Sequence, residues 1–306
     1  MRWRNLAGTA FAVLIMAIVL FRYGGDLRSI DFAKPALAPR LGAAVVIYTF
    51  VVFIGAIAWG ILLKAFGAAP ERWVAEKQLL VSQIGKYVPG NVAQYVGRAA
   101  MAVAAGIPAR VVGLAIVTET AAIVLGGLLS VVIAIGLAPD QGSLLVGLLP
   151  EMSSLTWIGV AVAMVAVLLI ALSLVSRRWS RLTTVPTVRW TGLAFALLLY
   201  IVALLLLGVS LHLIVGIFSV APLPTTVAVF AAAWIAGLAT PGAPGGLGVR
   251  ESVIALGLAP LMGGAPALSA ALLHRGASVI GDVISLGLGL ALPKQHQAQV
   301  SLDRNA

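Results

Sequence analysis

The sequence predicts an all-α polytopic membrane protein, with six long transmembrane helices and two re-entrant helical hairpins inserted from opposite faces. Three observations predict it. The 306 residues are 61% hydrophobic and only 10% charged, with mean hydropathy +1.09, more apolar surface than a soluble fold of this length buries. The apolar residues gather into stretches of about 20, the length that crosses a hydrocarbon core as a helix. Two Pro-Gly breaks, Pro89-Gly90 and Pro241-Gly242, interrupt helical segments whose arms are too short or too polar to cross.

The six spans run roughly over 5–22, 41–63, 110–137, 154–176, 190–218 and 265–292. The first follows Arg2 and Arg4, as a signal peptide would, but its apolar stretch is too long and ends in Phe21-Arg22-Tyr23. It reads as an uncleaved anchor. Residues 71–106 (ERWVAEKQLLVSQIGKYVPGNVAQYVGRAAMAVAAG) are too polar to cross lipid yet helical in pattern on both sides of Pro89-Gly90. Residues 225–262 carry one apolar arm up to Ala239, the turn TPGAPGGLG, and a second short arm to Met262. Segments of this kind dip into the bilayer and return. An amphipathic helix on the membrane surface is the alternative for 71–106; two apolar arms argue against a surface loop at 225–262.

Charge bias sets the direction. Arg177, Arg178, Arg181 and Arg189 form the strongest basic cluster and belong in the cytoplasm, whereas the loop 138–153 holds Asp140 and Glu151 without Lys or Arg. The tail 293–306, with Lys294 and Arg304, is expected inside, and threading six spans puts the N-terminus inside too. The loop 22–40 conflicts: this topology places it outside, yet it holds Arg22, Arg28, Lys34 and Arg40 against two acids.

With this threading the two hairpins enter from opposite sides, and their sequences align. GKYVPGNVAQYVGR runs Gly85, Pro89, Gly90, Arg98; GLATPGAPGGLGVR runs Gly237, Pro241, Gly242, Arg250, each position 152 residues on. Each hairpin follows two spans and precedes one. The chain, one transmembrane domain, thus reads as two inverted halves, 1–137 and 154–292. Broken helices at matching positions of inverted repeats point to a transporter's substrate site.

Other classes recede. Cysteine is absent, so thiolate chemistry is excluded, and His212, His274 and His296 lack ligand spacing, so neither metal nor other cofactor is expected. Gly85-Lys86 is followed by Tyr87 rather than Ser or Thr, so no Walker A motif is present. The net charge of +10 fits cytoplasmic loops and anionic lipid better than nucleic acid. Membrane lipids are the expected partners, and a homo-oligomer is compatible with the pattern.

A charge deep in a bilayer needs a reason. Lys86, Arg98, Arg250 and Arg275 are candidates for such positions, with Glu119, Glu251 and Asp282 as counter-charges. Asn91, Gln94 and Arg98 share one face of the arm after the first turn. A turn at Pro89-Gly90 can leave amides free, and amides with an arginine fork attract phosphate or carboxylate; snorkelling Lys and Arg that only anchor the hairpin are the alternative. In the second hairpin, Pro244, Gly245 and Gly246 extend the turn opened by Pro241-Gly242. Glu251 fits either a site or a helix cap. Glu119 lies about 13 Å along its helix from Arg110, as an interior functional carboxylate or as the structural partner of a hairpin arginine. In the last span Arg275, Ser278, Asp282 and Ser285 make a polar stripe, and Ala277, Gly281, Ser285 and Gly289 a small-residue stripe that admits a close neighbour.

The segments SQIGKYVPGNVAQYVGR (82–98), the span around Glu119, PGGLGVRE (244–251) and LLHR (272–275) resemble the membrane domain of lysylphosphatidylglycerol synthase, the multiple peptide resistance factor, and its stand-alone bacterial and archaeal relatives. The resemblance covers nearly the whole chain in order and length. It implies a multi-span domain of the bacterial cytoplasmic membrane that moves lipid across the bilayer, aminoacylated phosphatidylglycerol in bifunctional members and isoprenoid-linked or hopanoid lipids in others. The chain stops at Ala306 without a soluble aminoacyl-transferase domain, so synthesis of the aminoacylated lipid is not implied.

Three functions are consistent with these residues. The first is a non-enzymatic lipid flippase whose hairpin cations hold an anionic headgroup. The second is an integral-membrane glycosyltransferase acting on a polyprenyl carrier, which lacks support because the acids form only wide pairs such as Asp26/Asp31 and Glu71/Glu76. The third is a small-solute transporter, whose cavity, unlike a lipid carrier's, would be sealed from the acyl region.

Overall fold

The structure, a computed structural model, describes residues 33–71, 73–88, 92–137, 188–240 and 242–293, with isolated positions before and between them. The elements in it are helical throughout. Four of the expected spans are present as α1 (Leu37–Ala65), α4 (Ala109–Leu137), α5 (Trp190–Val215) and α8 (Gly264–Ala291). Those at 5–22 and 154–176 are described only at isolated positions, 14, 16–18 and 20–22 in the first and 156, 159 and 163 in the second. Between α1 and α4 lie α2 (Val74–Ser82), a 3₁₀ turn over Gln83–Tyr87 and α3 (Ala93–Ala104). Between α5 and α8 lie α6 (Leu223–Ala239), a 3₁₀ turn over Pro244–Gly246 and α7 (Val249–Met262).

Among the described residues, five helical stretches are long and apolar enough to cross a membrane: α1, α4, α5, α8 and Pro244–Met262. The fifth reaches 19 residues only by counting the turn, where Gly245, Gly246 and Gly248 take positive φ and interrupt the helix; α7 itself has 14 residues and α6 has 17, so both arms are short. Alone, α7 rises about 21 Å, less than a hydrocarbon core of about 30 Å.

Backbone contacts set the helix directions. α1 packs antiparallel along α5. At one end the Arg189 N–H donates to Ala65 O at 3.0 Å. At the other, Lys34 Nζ donates to Ile217 O at 3.0 Å and Arg40 Nη1 to Leu213 O at 3.4 Å. Lys77 Nζ, near the start of α2, donates to Leu292 O at 2.8 Å just past α8. One end of the bundle thus gathers residues 65–77, 189 and 292, and the other gathers 34–40 and 213–223. Lys34 and Arg40, two of the four cations in the loop that conflicts with the charge bias, make these contacts. Both cations serve the carbonyls at the C-terminal end of α5, where positive charge is favourable.

The interior is apolar, with Trp59, Leu62, Leu80, Leu211 and Leu258 fully buried. Phe50, Phe195, Leu198 and Leu290 lie on outward faces. Between helices in lipid, association rests on close packing and internal hydrogen bonds rather than on expelling water. The small-residue stripe of α8 serves this: a Cβ on Gly281 would lie 2.5 Å from Tyr48 Cδ1 of α1, and one on Gly289 would lie 2.8 Å from Leu80 Cβ of α2.

Candidate functional site

The turns Gln83–Tyr87 and Pro244–Gly246 meet each other inside the bundle. Gly245 sits in the left-handed region (φ 57°), and a Cβ there would lie 3.5 Å from Lys86 Cγ. Each segment closes on a glycine in the same way. A Cβ on Gly85 would approach Gln94 N to 2.7 Å, and Cβ of a residue replacing Gly237 would lie 3.3 Å from Gly246 Cα. In both cases the glycine admits the backbone of the residue nine positions later. Among the described residues, the buried charged side chains form three groups.

Lys86, in the first 3₁₀ turn, pairs with Asp282 of α8. Its ammonium lies 2.8 Å from Asp282 Oδ1 and 2.6 Å from Oδ2, and donates to the Tyr48 hydroxyl at 2.8 Å. Tyr87 OH donates to Asp282 Oδ2 at 2.5 Å and Tyr48 OH to Oδ1 at 3.2 Å. A fully buried carboxylate thus has three donors, from α1, the turn and the cation, which offsets the cost of removing the pair from water.

Arg98, in α3, holds Glu119 of α4 through both terminal nitrogens, Nη1 to Oε1 at 2.9 Å and Nη2 to Oε2. Tyr200 OH of α5 donates to the same carboxylate at 3.2 Å. The guanidinium lies 4.3 Å from the Trp59 ring centroid, and Trp59 Nε1 donates to Gln78 at 3.0 Å. Fork geometry and cation–π stacking are what arginine supplies and lysine does not.

The third group surrounds the second turn. Glu251 Oε2 accepts the Gly248 N–H at 2.7 Å, capping α7, and Oε1 lies 3.6 Å from Arg275 Nη1. Arg275 Nη1 also donates to Gly245 O at 3.1 Å. Arg250 has no carboxylate partner among the described residues. Its guanidinium stacks 3.6 Å from the Trp234 ring centroid, and its Nε, pressed against Gly237 and Gly246, is buried without an acceptor. Arg275 Nη2, beside Gly245, is likewise buried without one. His274 lies edge-on to Phe230 with centroids 5.2 Å apart.

Of the residues expected at a site, Lys86, Arg250, Glu251, Arg275 and Asp282 gather at this junction, Gln94 contributes its backbone, and Arg98 and Glu119 form a separate pair with Tyr200 and Trp59. Gly242 precedes the second turn, and Pro244, Gly245 and Gly246 form it. Pro89, Gly90, Asn91 and Pro241 lie outside the described residues. Sequence reasoning missed Tyr48, Tyr87 and Tyr200 as carboxylate donors and Trp59 and Trp234 as guanidinium platforms. A tyrosine or tryptophan in an apolar helix carries no local signal of whether it faces lipid or a buried charge.

The comparisons with known proteins agree with this architecture. The family described as Lysylphosphatidylglycerol synthase TM region matches residues 5–285 of the 306. A search of curated proteins gives no match. The chain is a multi-pass membrane protein, and it belongs to the lysylphosphatidylglycerol synthase TM region family.

Proposed function

We propose that the protein is a lipid flippase of the bacterial cytoplasmic membrane. It carries a phospholipid or isoprenoid-type lipid across the bilayer, with cations of the two hairpins holding the anionic headgroup and no covalent chemistry. The observation that carries this reading is the meeting of the turns Gln83–Tyr87 and Pro244–Gly246, with Gly245 against Lys86, among charged side chains in an otherwise apolar interior. Intramembrane charge of this kind marks a substrate path in membrane proteins.

Re-entrant, inverted hairpins are part of the proposal. The α2–α3 segment begins at the bundle end holding Ala65, Arg189 and Leu292; the α6–α7 segment begins at the end holding Lys34 and Ile217. The parallel closures of Gly85 on Gln94 and Gly237 on Gly246 support a repeat at an offset of 152 residues. In this arrangement both termini are cytoplasmic, and a headgroup moves between turns reached from opposite faces.

The test is translocation in proteoliposomes, using labelled lipids with a panel of headgroups. Movement of an anionic phospholipid well above the rate in protein-free vesicles, lost in Arg250→Ala, is expected. Rates equal to empty vesicles for every headgroup would remove the flippase reading.

A further inference from the structure

The two hairpins are matched in sequence but not in how firmly they are seated. The second is built into the interior. Its α6 buries Val227, Val229, Phe230 and Ala233 among others, and α7 buries Val249, Ile254, Ala255 and Leu258. The returning arm of the first, α3, buries just Arg98 and Ala102 of its 12 residues. Val96 and Val103 face outward, 63% and 46% exposed. Hiding apolar surface gains nothing where the surroundings are lipid, so a peripheral arm rests on its few close contacts and hydrogen bonds.

The polar contacts of α3 converge on one side chain. Arg98 is its only charged residue, and the guanidinium links it to three other helices. It reaches α1 through the Trp59 ring, α4 through Glu119, and α5 through the Tyr200 hydroxyl on the same carboxylate. Tyr95 adds its ring 5.6 Å from that guanidinium and meets Thr120 of α4. The first turn of α3 rests backbone to backbone on Gly85, next to Lys86. The far end is anchored differently. Ala102 and Ile107 belong to the apolar core, and between them Gly106 sits at φ 80° with no atom within 4 Å of where a Cβ would stand. A glycine in that conformation, free of neighbours, can absorb a change of backbone direction.

We infer that α3 is a gate, latched by Arg98 on Glu119 and hinged at Gly106, which swings to open the turn bearing Lys86 to the surrounding bilayer while the second hairpin stays fixed. Opening separates a buried ion pair, so the arm stays shut until either charge is met by another partner. The inference goes beyond the lipid-carrier reading and does not depend on it.

Spin-label distances on the purified full chain in nanodiscs test it, since no native cysteine interferes. One pair joins Val96→Cys on α3 to Phe195→Cys on α5. A second uses Val103→Cys, near the hinge, in place of Val96→Cys. A third joins Phe195→Cys to Leu256→Cys on α7; all four positions are exposed. With the latch intact each pair should give one main distance, with less than about 10% of molecules displaced. Glu119→Gln keeps the size of the side chain and an acceptor for Tyr200 but removes the charge. It should move most molecules of the Val96 pair by about 5 Å or more, one helical turn. The Val103 pair should move less, and the Leu256 pair not at all. Arg98→Lys, which keeps the charge but loses the fork and the ring stacking, should displace the Val96 pair in the same direction. An unmoved Val96 pair in both variants, equal movement at Val103, or broadening of the Leu256 pair overturns the gate: α3 would be fixed, detached as a whole, or loosened with the rest of the fold. No transport is read in this measurement, so its failure leaves the flippase reading standing, and failure of lipid translocation leaves the gate standing.

Discussion

Arg98 and Glu119, 21 residues apart in sequence, meet as a two-pronged pair that ties α3 to α4, with Tyr200 of α5 on the same carboxylate. Both side chains are buried. Such a pair carries little net stability over an apolar replacement, yet losing one partner strands the other. Arg98→Ala is therefore expected to cost about 3–5 kcal/mol, and Arg98→Met with Glu119→Leu to recover most of it. Thermal unfolding in detergent measures both. Equal destabilisation by the single and double changes would show that the pair is not an isolated structural unit.

Lys86 and Asp282 invite the same comparison with a graded answer. Tyr48→Phe removes one donor of three and should cost about 1 kcal/mol. Asp282→Asn leaves the Lys86 ammonium without its counter-charge and should cost about 3–5 kcal/mol. If Tyr48→Phe were the more damaging of the two, the tyrosine's packing against Gly281, rather than its hydroxyl, would be its main contribution.

Glycines differ in what they tolerate. At Gly85 a Cβ would lie 2.7 Å from a backbone nitrogen, which cannot move aside as a flexible side chain does. At Gly97, one turn into α3, nothing lies within 4 Å. Gly85→Ala should destabilise by about 1–3 kcal/mol, whereas Gly97→Ala should stabilise by about 0.5–1 kcal/mol through helix propensity. Unfolding midpoints of the two variants decide it; similar midpoints would mean that the first hairpin closes differently.

Sidedness is testable because native cysteine is absent. Val220, 99% exposed, lies beside the end that holds Lys34, and exposed Glu71 lies beside the end that holds Ala65. An impermeant thiol reagent applied outside intact cells should label Val220→Cys, and should reach Glu71→Cys only after the membrane is opened. Labelling of both from one side would break the antiparallel arrangement of α1 and α5 across the bilayer.

The second hairpin shows where sequence reading and structure part. Pro241-Gly242 and the glycines after it announce a turn, because proline lacks an amide hydrogen and glycine reaches positive φ. Which of those glycines take positive φ, namely Gly242, Gly245, Gly246 and Gly248, has no such local signature. Glu251 was readable as a cap from its place near a helix start, and it caps; its approach to Arg275 was not readable. The contacts of Lys34 and Arg40 were not readable for a related reason. Counting charges treats them as free, whereas the structure engages both at carbonyls of α5.

Hydrophobic run lengths, the two Pro-Gly breaks and the scarcity of charge were enough to determine a helical membrane protein and to select the residues in its interior. Those properties depend on local composition and on the thickness of a bilayer, both legible along a chain. The partner of each charge was decided only by tertiary structure. Lys86 meets Asp282 across 196 residues, and Arg98 takes Glu119 while Arg250 is left stacked on Trp234. Such choices depend on which helix faces are pressed together, and so on glycines that permit the approach. The equivalence of Arg98 and Arg250 in sequence thus ends in different environments, one paired with a carboxylate and the other, among the described residues, stacked on an indole without an ion pair.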